Sequence, residues 1–187
     1  MHGTVFATRV DHARRVARVV LADLPERWQH SAGVAARAEE LAAALGENPD
    51  VLVAAAWLHD IGYAEAARDT GFHPLDGARY LDAHGWPPRI SALVAHHSGA
   101  CYVAEVRNLG DELGAYPREQ SPLADALTYA DQTVGPAGRP MPVEQRISDM
   151  LRRHGDRSPN AAAHRLRGPY LLALADRVES RLATPGR

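Results

Sequence analysis

NPDVLVAAAWLHDIGY, residues 48–63, is the stretch on which the fold turns. Asn48 and Pro49 make a helix start, because Asn accepts from the free N–H groups of a first turn and Pro has none to leave unpaired. The apolar body that follows, residues 51–58, has the length of a core helix segment and falls well short of the roughly 18 residues a membrane crossing needs. It then runs into His59 and Asp60 and stops at Gly62. A carboxylate closing so apolar a helix is costly unless it is paired or bound to a metal. Two adjacent residues at a helix end can point into one cavity and offer one nitrogen and one oxygen. The dipeptide alone is a weak signal, so its setting has to decide.

The rest of the chain reads as helices around that segment. Proline repeatedly precedes an amphipathic stretch and glycine follows it, the asymmetry expected of helix entries and exits. Upstream, residues 11–24 read as a first helix with Ala13, Val16, Val20 and Leu24 on one face, and Pro25 opens a long second one ending at Gly46. Downstream, Pro74 opens a helix that reaches His84-Gly85, Pro87-Pro88 start another that ends near Gly99, and residues 100–113 read as a sixth. Ser121-Pro122 cap a helix through Asp131. Residues 143–154 and 159–182 follow, the last with an expected interruption at Gly168-Pro169. No strand-like alternation and no fixed-period repeat stands out. GPAGRPMP, residues 135–142, is the linker or lid candidate. The expectation is one all-α domain, a compact helical bundle over residues 8–135, with 143–187 as a C-terminal helical extension packed on it.

Composition sets the boundaries. The chain has 187 residues, 45% apolar and 24% charged, enough for a core without staples. Net charge is −2, from 21 basic and 23 acidic residues, which gives no footprint for a nucleic-acid polymer and no polybasic membrane patch. Residues 1–7 do not form the basic leader and apolar run of an export signal. The single Cys101 allows neither an intrachain disulfide nor a cysteine-based zinc site, and reads as a small buried core residue. Together these favour a cytoplasmic protein. The unusual count is ten histidines, which in a cysteine-poor chain points to imidazole metal ligands.

His30 lies mid-helix, followed at one-turn intervals by Val34, Arg37 and Leu41, and an inward imidazole needs a partner or a metal. Asp131 ends the apolar helix of Leu123, Leu127 and Ala130, where the macrodipole disfavours a carboxylate and so favours a nearby cation. His73 opens one helix, and His96-His97 close another. The ordered series is His30, His59-Asp60, His73, His96 or His97, Asp131. Mixed imidazole and carboxylate donors suit Fe, Mn, Zn, Ni or Co better than Ca. His2, His12, His84, His154 and His164 stand outside the series and read as surface or capping residues.

That order, H…HD…H…H…D, resembles the HD-domain superfamily over about residues 8–135. RWQHSAGVAARAEELAAALG (27–46) resembles the first ligand helix of bacterial HD hydrolases of the YqeK type. AAWLHDIGY (55–63) resembles the HD helix, and HPLDGARYL (73–81) the H-x-x-x-G-A segment of YqeK-like and HD-GYP proteins. LVAHHSG (93–99) and LTYADQT (127–133) resemble the last two ligand helices. The resemblance implies a metal centre at the middle of the bundle. His30, His59, Asp60 and Asp131 would hold one divalent transition metal, and His73 with His97, or His96, a second, with Asp60 bridging. Ser31, Asp76 and Ser98 are candidates for orienting the imidazoles.

The implied activity is metal-dependent hydrolysis of a phosphate ester or nucleotide by activated water, with Asp60 and Arg27 as its central side chains. Many HD hydrolases carry a Lys near the substrate phosphate; here that position is Tyr63, and the chain contains no lysine. Arginine must therefore bind phosphate, with Arg27, one turn before His30, as first choice and Arg68 and Arg139 next. Two other readings stand beside it: a di-iron oxygenase using the same ligands on a small molecule, and a non-catalytic regulatory module. Residues 135–187 carry no motif and are expected to shape the pocket rim or a homodimer face.

Overall fold

A computed structural model describes residues 8–184; residues 1–7 and 185–187, and with them His2, lie outside the described residues. Ten α-helices are found among the described residues, and the only β pairing there is an isolated bridge between Val134 and Pro140. The chain is all-α. None of its described helices is long and apolar enough to cross a membrane.

The central element is α3 (Pro49–Leu58), whose residues 51–58 are all buried. Asn48 caps it by accepting from the Asp50 amide at 2.9 Å. Burying the Leu52 and Leu58 side chains stabilises the fold by about 1.5–3 kcal/mol each. Around α3 pack α1 (Arg9–Val20), α2 (Pro25–Leu45) and, further along the chain, α5 (Pro88–His96) and α8 (Pro122–Gln132). α4 (His73–Ala83) lies on α5, followed by the short α6 (Ala100–Val106) and α7 (Gly110–Gly114). The C-terminal α9 (Val143–His154) and α10 (Pro159–Ala183) close the structure, with α10 against α6 and α8. Leu171, Leu174 and Val178 of α10 and Ile147 of α9 join the same apolar core as Leu52 and Leu127.

Several boundaries differ from the sequence expectation, each for a physical reason. α1 ends at Val20 instead of Leu24: Leu24 precedes a proline, which disfavours helical dihedrals, and takes φ −125° and ψ 67°. Residues 100–113 form two helices, broken at Asn108, which takes the left-handed φ of 57° that asparagine tolerates. α10 runs uninterrupted through Gly168-Pro169. The carbonyl deprived of its partner by Pro169 belongs to the exposed Arg165, where water can replace the lost bond. Cys101 is half-buried beside a small second apolar cluster.

The segment 135–142 is neither linker nor lid but a clasp. Gly135 and Met141 amides donate to the carbonyls of Arg139 and Thr133, both at 2.8 Å, closing a tight loop. The loop lies directly on α2: a Cβ on Gly33 would fall 2.4 Å from the Gly138 carbonyl oxygen, and one on Gly138 2.4 Å from that of Gln29. Gly138 is also left-handed, at φ +71°.

Candidate metal centre

Three helix C-termini converge in the interior. α3 delivers His59 and Asp60 just past its last residue, α5 delivers His97 just past His96, and α8 carries Asp131 in its last turn. The negative ends of three helix dipoles therefore meet beside two carboxylates, an arrangement that calls for positive charge. His30 enters from the second turn of α2 and His73 from the start of α4. His30, His59, Asp60, His97 and Asp131 are all buried.

The oxygen atoms divide the cluster in two. Asp131 Oδ1 lies 2.9 Å from His30 Nε2 and 3.8 Å from His59 Nε2. Asp60 Oδ1 lies 3.5 Å from His59 Nε2 and 3.4 Å from His73 Nε2. His73 and His97 approach through their Nε2 atoms at 3.3 Å. Two groups, His30–His59–Asp131 and His59–Asp60–His97, each place one donor atom per residue within 4.8 Å of the others.

The rings are oriented by backbone carbonyls. His30 Nδ1–H donates to Gly135 O at 3.1 Å, His59 Nδ1–H to Ala56 O at 2.7 Å and His97 Nδ1–H to Val94 O at 2.6 Å. Each Nε2 is thereby left as a bare acceptor aimed at carboxylate oxygens, which are also acceptors. His59 Nε2 is buried with no hydrogen-bond partner at all. Acceptors facing acceptors in a dry interior repel unless a cation sits among them, and nitrogen and oxygen donors of this kind fit a divalent transition metal.

The protonation states agree with that fit. Burial pushes His73 well below its ordinary value and His97 down to about 4, so both rings are neutral at pH 7. Burial would raise the Asp60 carboxyl, but the neighbouring His59 imidazole and Arg27 guanidinium override it and hold it well below the usual range. Burial likewise opposes ionisation of Asp131, but its close neighbours His30, His59 and Arg146 outweigh it and hold the carboxyl well below the usual range. Asp131 Oδ2 additionally accepts from Ser98 Oγ and, at 2.9 Å, from Gln132 Nε2.

The structure does not bring every sequence candidate here. His96 points away: its Nε2–H donates to Tyr116 O at 2.8 Å. His97, at ψ 156°, ends the helix, and successive positions there project about 100° apart, so the two consecutive rings face different sides. Of the expected orienting groups, Ser98 holds Asp131 rather than a ring. Asp76 accepts from Thr70 and Gly71, fixing the loop before His73, and Ser31 Oγ is buried without a hydrogen bond. Arg68 and Arg139 are exposed and line no part of the cavity described below. His12 and His84 are exposed, stacked on Trp86 and Tyr80, and His164 is half-buried.

Arg27 is in place, with Nη1 3.1 Å from Asp60 Oδ2. Its guanidinium lies over the Tyr63 ring at 3.8 Å, and His73 stacks on the same ring at 4.0 Å. Groups that close cannot share a face, so Tyr63 is sandwiched between them. Burial, then the Asp60 charge, push its phenol up to about 12.

A cavity of about 290 Å³ opens onto Asp60, His73, His97 and Asp131. Its roof comes from α9 and α10, through Arg146, Arg153, His154, Asn160 and Arg167. Sequence reasoning missed these residues, although it expected the segment to shape a rim. The signal was available in α9: Val143, Arg146, Ile147 and Met150 are its buried positions, so an arginine sits on the apolar stripe. Arg167 is a strut, donating from Nε to Ser98 O at 2.7 Å and from Nη1 to Asn160 Oδ1 at 3.3 Å.

The model of the HD domain family matches residues 27–134 of the chain. No curated protein and no solved structure matches it.

Proposed function

The chain belongs to the HD domain family, and from that premise and the cluster's chemistry we propose that it is a metal-dependent phosphohydrolase acting on a small phosphorylated molecule or nucleotide. The observation that carries the reading is His59 Nε2, buried without a partner at the meeting point of four imidazoles and two carboxylates. In this reading His30, His59 and Asp131 hold one ion, and His73 and His97 a second, with Asp60 between them. Iron, manganese, cobalt, nickel and zinc all fit the donor set. A bound divalent cation supplies a water acidified to near neutrality and neutralises phosphoryl oxygens.

The protein's own groups do the rest. The carbonyls of Ala56, Val94 and Gly135 keep three rings in the tautomer whose Nε2 can ligate. Arg27 stays charged, pairs with Asp60 and has further N–H groups for a phosphoryl oxygen. Tyr63, a neutral phenol, cannot supply the charge of a lysine but fixes Arg27 and His73 by stacking. The roof of α9 and α10 keeps the cavity small, which favours a small molecule over a polymer. A half-buried lone cysteine and the near-neutral net charge are compatible with a cytoplasmic setting.

The test is metal analysis of the purified protein, followed by a screen of phosphate esters and nucleotides with Mn, Co, Ni and Mg, with oxygen uptake recorded alongside. Phosphate release that is abolished in His59→Ala and Asp60→Asn is expected. Iron-dependent oxygen uptake with no phosphate release would move the protein to oxygenase chemistry, and neither activity would leave a regulatory module.

A further inference from the structure

Arg146 is the arginine of the cavity that has no acceptor. It is 7% exposed and lies on the inward face of α9. Its Nε is buried without a hydrogen-bond partner, and its one ion pair among the described residues, Nη2 to Asp131 Oδ1, measures 3.6 Å, too long for a hydrogen bond. The other arginines of the cavity are tied down: Arg27 to Asp60, Arg107 to Thr70 O at 3.1 Å, Arg153 to Asp149 at 2.9 Å, and Arg167 to Ser98 O. Asp131 is not free to serve Arg146. Its Oδ2 is taken by Ser98 and Gln132, and its Oδ1 faces the Nε2 atoms of His30 and His59. A buried guanidinium with unfilled donors is a costly feature unless a ligand completes it.

We propose that Arg146 is the anchor of the substrate's phosphoryl group, and that the group is a terminal phosphate dianion. This rests on the phosphohydrolase reading and adds to it a binding residue outside the segment the family model matches. The planar fork of arginine suits two phosphoryl oxygens at once. Arg146 stands beside Asp131 as Arg27 stands beside Asp60, so two guanidinium ions flank the two ends of the cluster. Unfilled N–H donors on both match a monoester or terminal phosphate, with three free oxygens, better than a diester, with two.

The test is calorimetric titration of the manganese-loaded protein with inorganic phosphate, and with dimethyl phosphate as the monoanionic comparison. Wild-type protein is expected to bind phosphate at least 10-fold more tightly than dimethyl phosphate. Arg146→Met is expected to keep its metal content and lose about 10–100-fold in phosphate affinity, as for a charge-assisted hydrogen-bonded pair. Arg146→Lys should recover part of that loss. Should both variants fail to fold, hydrogen exchange on the wild-type protein decides: phosphate must slow exchange in α9, residues 143–154. Failure of wild-type protein to bind phosphate, unchanged affinity in a folded Arg146→Met, or binding without protection of α9 each overturns the anchor. Equal affinity for the two anions overturns the dianion. Phosphate binding through Arg146 with no ester hydrolysed would refute the hydrolase and leave the anchor standing; hydrolysis with an unchanged KM in Arg146→Met would do the reverse.

Discussion

Gly62→Ala tests the joint that brings the two halves of the cluster together. Gly62 follows Asp60 in the 3₁₀ turn Ile61–Tyr63, and a Cβ there would lie 2.0 Å from the His73 carbonyl oxygen and 2.6 Å from the Gly77 amide. Both obstacles are backbone atoms, so no side chain can swing away. Reaching the 3.4 Å at which ordinary contact begins requires a retreat of 3.4 − 2.0 = 1.4 Å. α4 cannot supply it, since a Cβ on Gly77 would already meet Val94 Cγ1 of α5 at 3.2 Å. The turn carrying Asp60 must move instead. Overpacking of this kind costs about 1–3 kcal/mol, and a backbone clash belongs at the upper end. For a domain of this size about 3 kcal/mol corresponds to a fall in Tm of roughly 6–12 °C. The same displacement is several times the tolerance of about 0.2 Å on metal–ligand distances. His73 and Asp60 should part, while His30, His59 and Asp131, which do not depend on this joint, keep their metal. Calorimetry and metal analysis on wild type and variant read both effects. Gly114→Ala is the control: nothing lies within 4 Å of its Cβ, and replacing a helical glycine should be neutral or stabilising by up to about 1 kcal/mol. A Gly62→Ala protein with wild-type Tm and full metal content would refute the argument.

Gly138→Ala should lift the 135–142 clasp from α2, because its Cβ would meet Gln29 O at 2.4 Å from a left-handed backbone. His30 then loses Gly135 O, and metal affinity measured by chelator competition should drop about 10–100-fold; unchanged affinity would show that the clasp does not orient the ring. In the metal-free protein, His97 titrates at about 4 when folded against its ordinary 6.5. Above pH 6.5 neither state binds the proton; as pH falls below it the unfolded chain does and the folded one does not. Stability should therefore fall by about 1.4 kcal/mol per pH unit, about 3 kcal/mol by pH 4, and a flat urea-unfolding profile between pH 7 and 5 would contradict the buried neutral ring. Arg167→Met removes the strut under Ser98 and should cost about 2 kcal/mol in urea unfolding, whereas the exposed Arg165→Met should be neutral; equal effects would deny Arg167 that role.

The helices were legible where local chemistry decides them. α3 announces itself by a cap, a proline and an unbroken apolar body, and the converging side chains announce themselves by order along the chain. What escaped depends on backbone placed by the fold. No spacing rule reveals that Ala56, Val94 and Gly135 carbonyls set three tautomers, or that the glycine- and proline-rich loop is pinned by Gly33. His96 and His97 are chemically identical neighbours, and only the folded backbone shows that His97 faces the cluster while His96 faces Tyr116. Nothing in the sequence separates Arg68 and Arg139 from Arg27 as cations of the site, yet both stand in solvent.

The cluster lies within residues 27–134, but part of the positive charge around it comes from further along the chain. Tyr63, stacked between Arg27 and His73, brings a neutral phenol to that side of the cavity. On the other side, beside Asp131, the charge comes from further along the chain. α9 is the element whose inward arginine supplies it, and α10 keeps it there by burying Leu171, Leu174 and Val178 in the core shared with α3. The matched segment 27–134 therefore contains every side chain of the cluster but not the whole of its electrostatics. Removing the C-terminal helices would unroof the cavity and strip part of the core at once, so point substitutions at Arg146 and Arg167, which separate charge from packing, are the ones that can tell the two contributions apart.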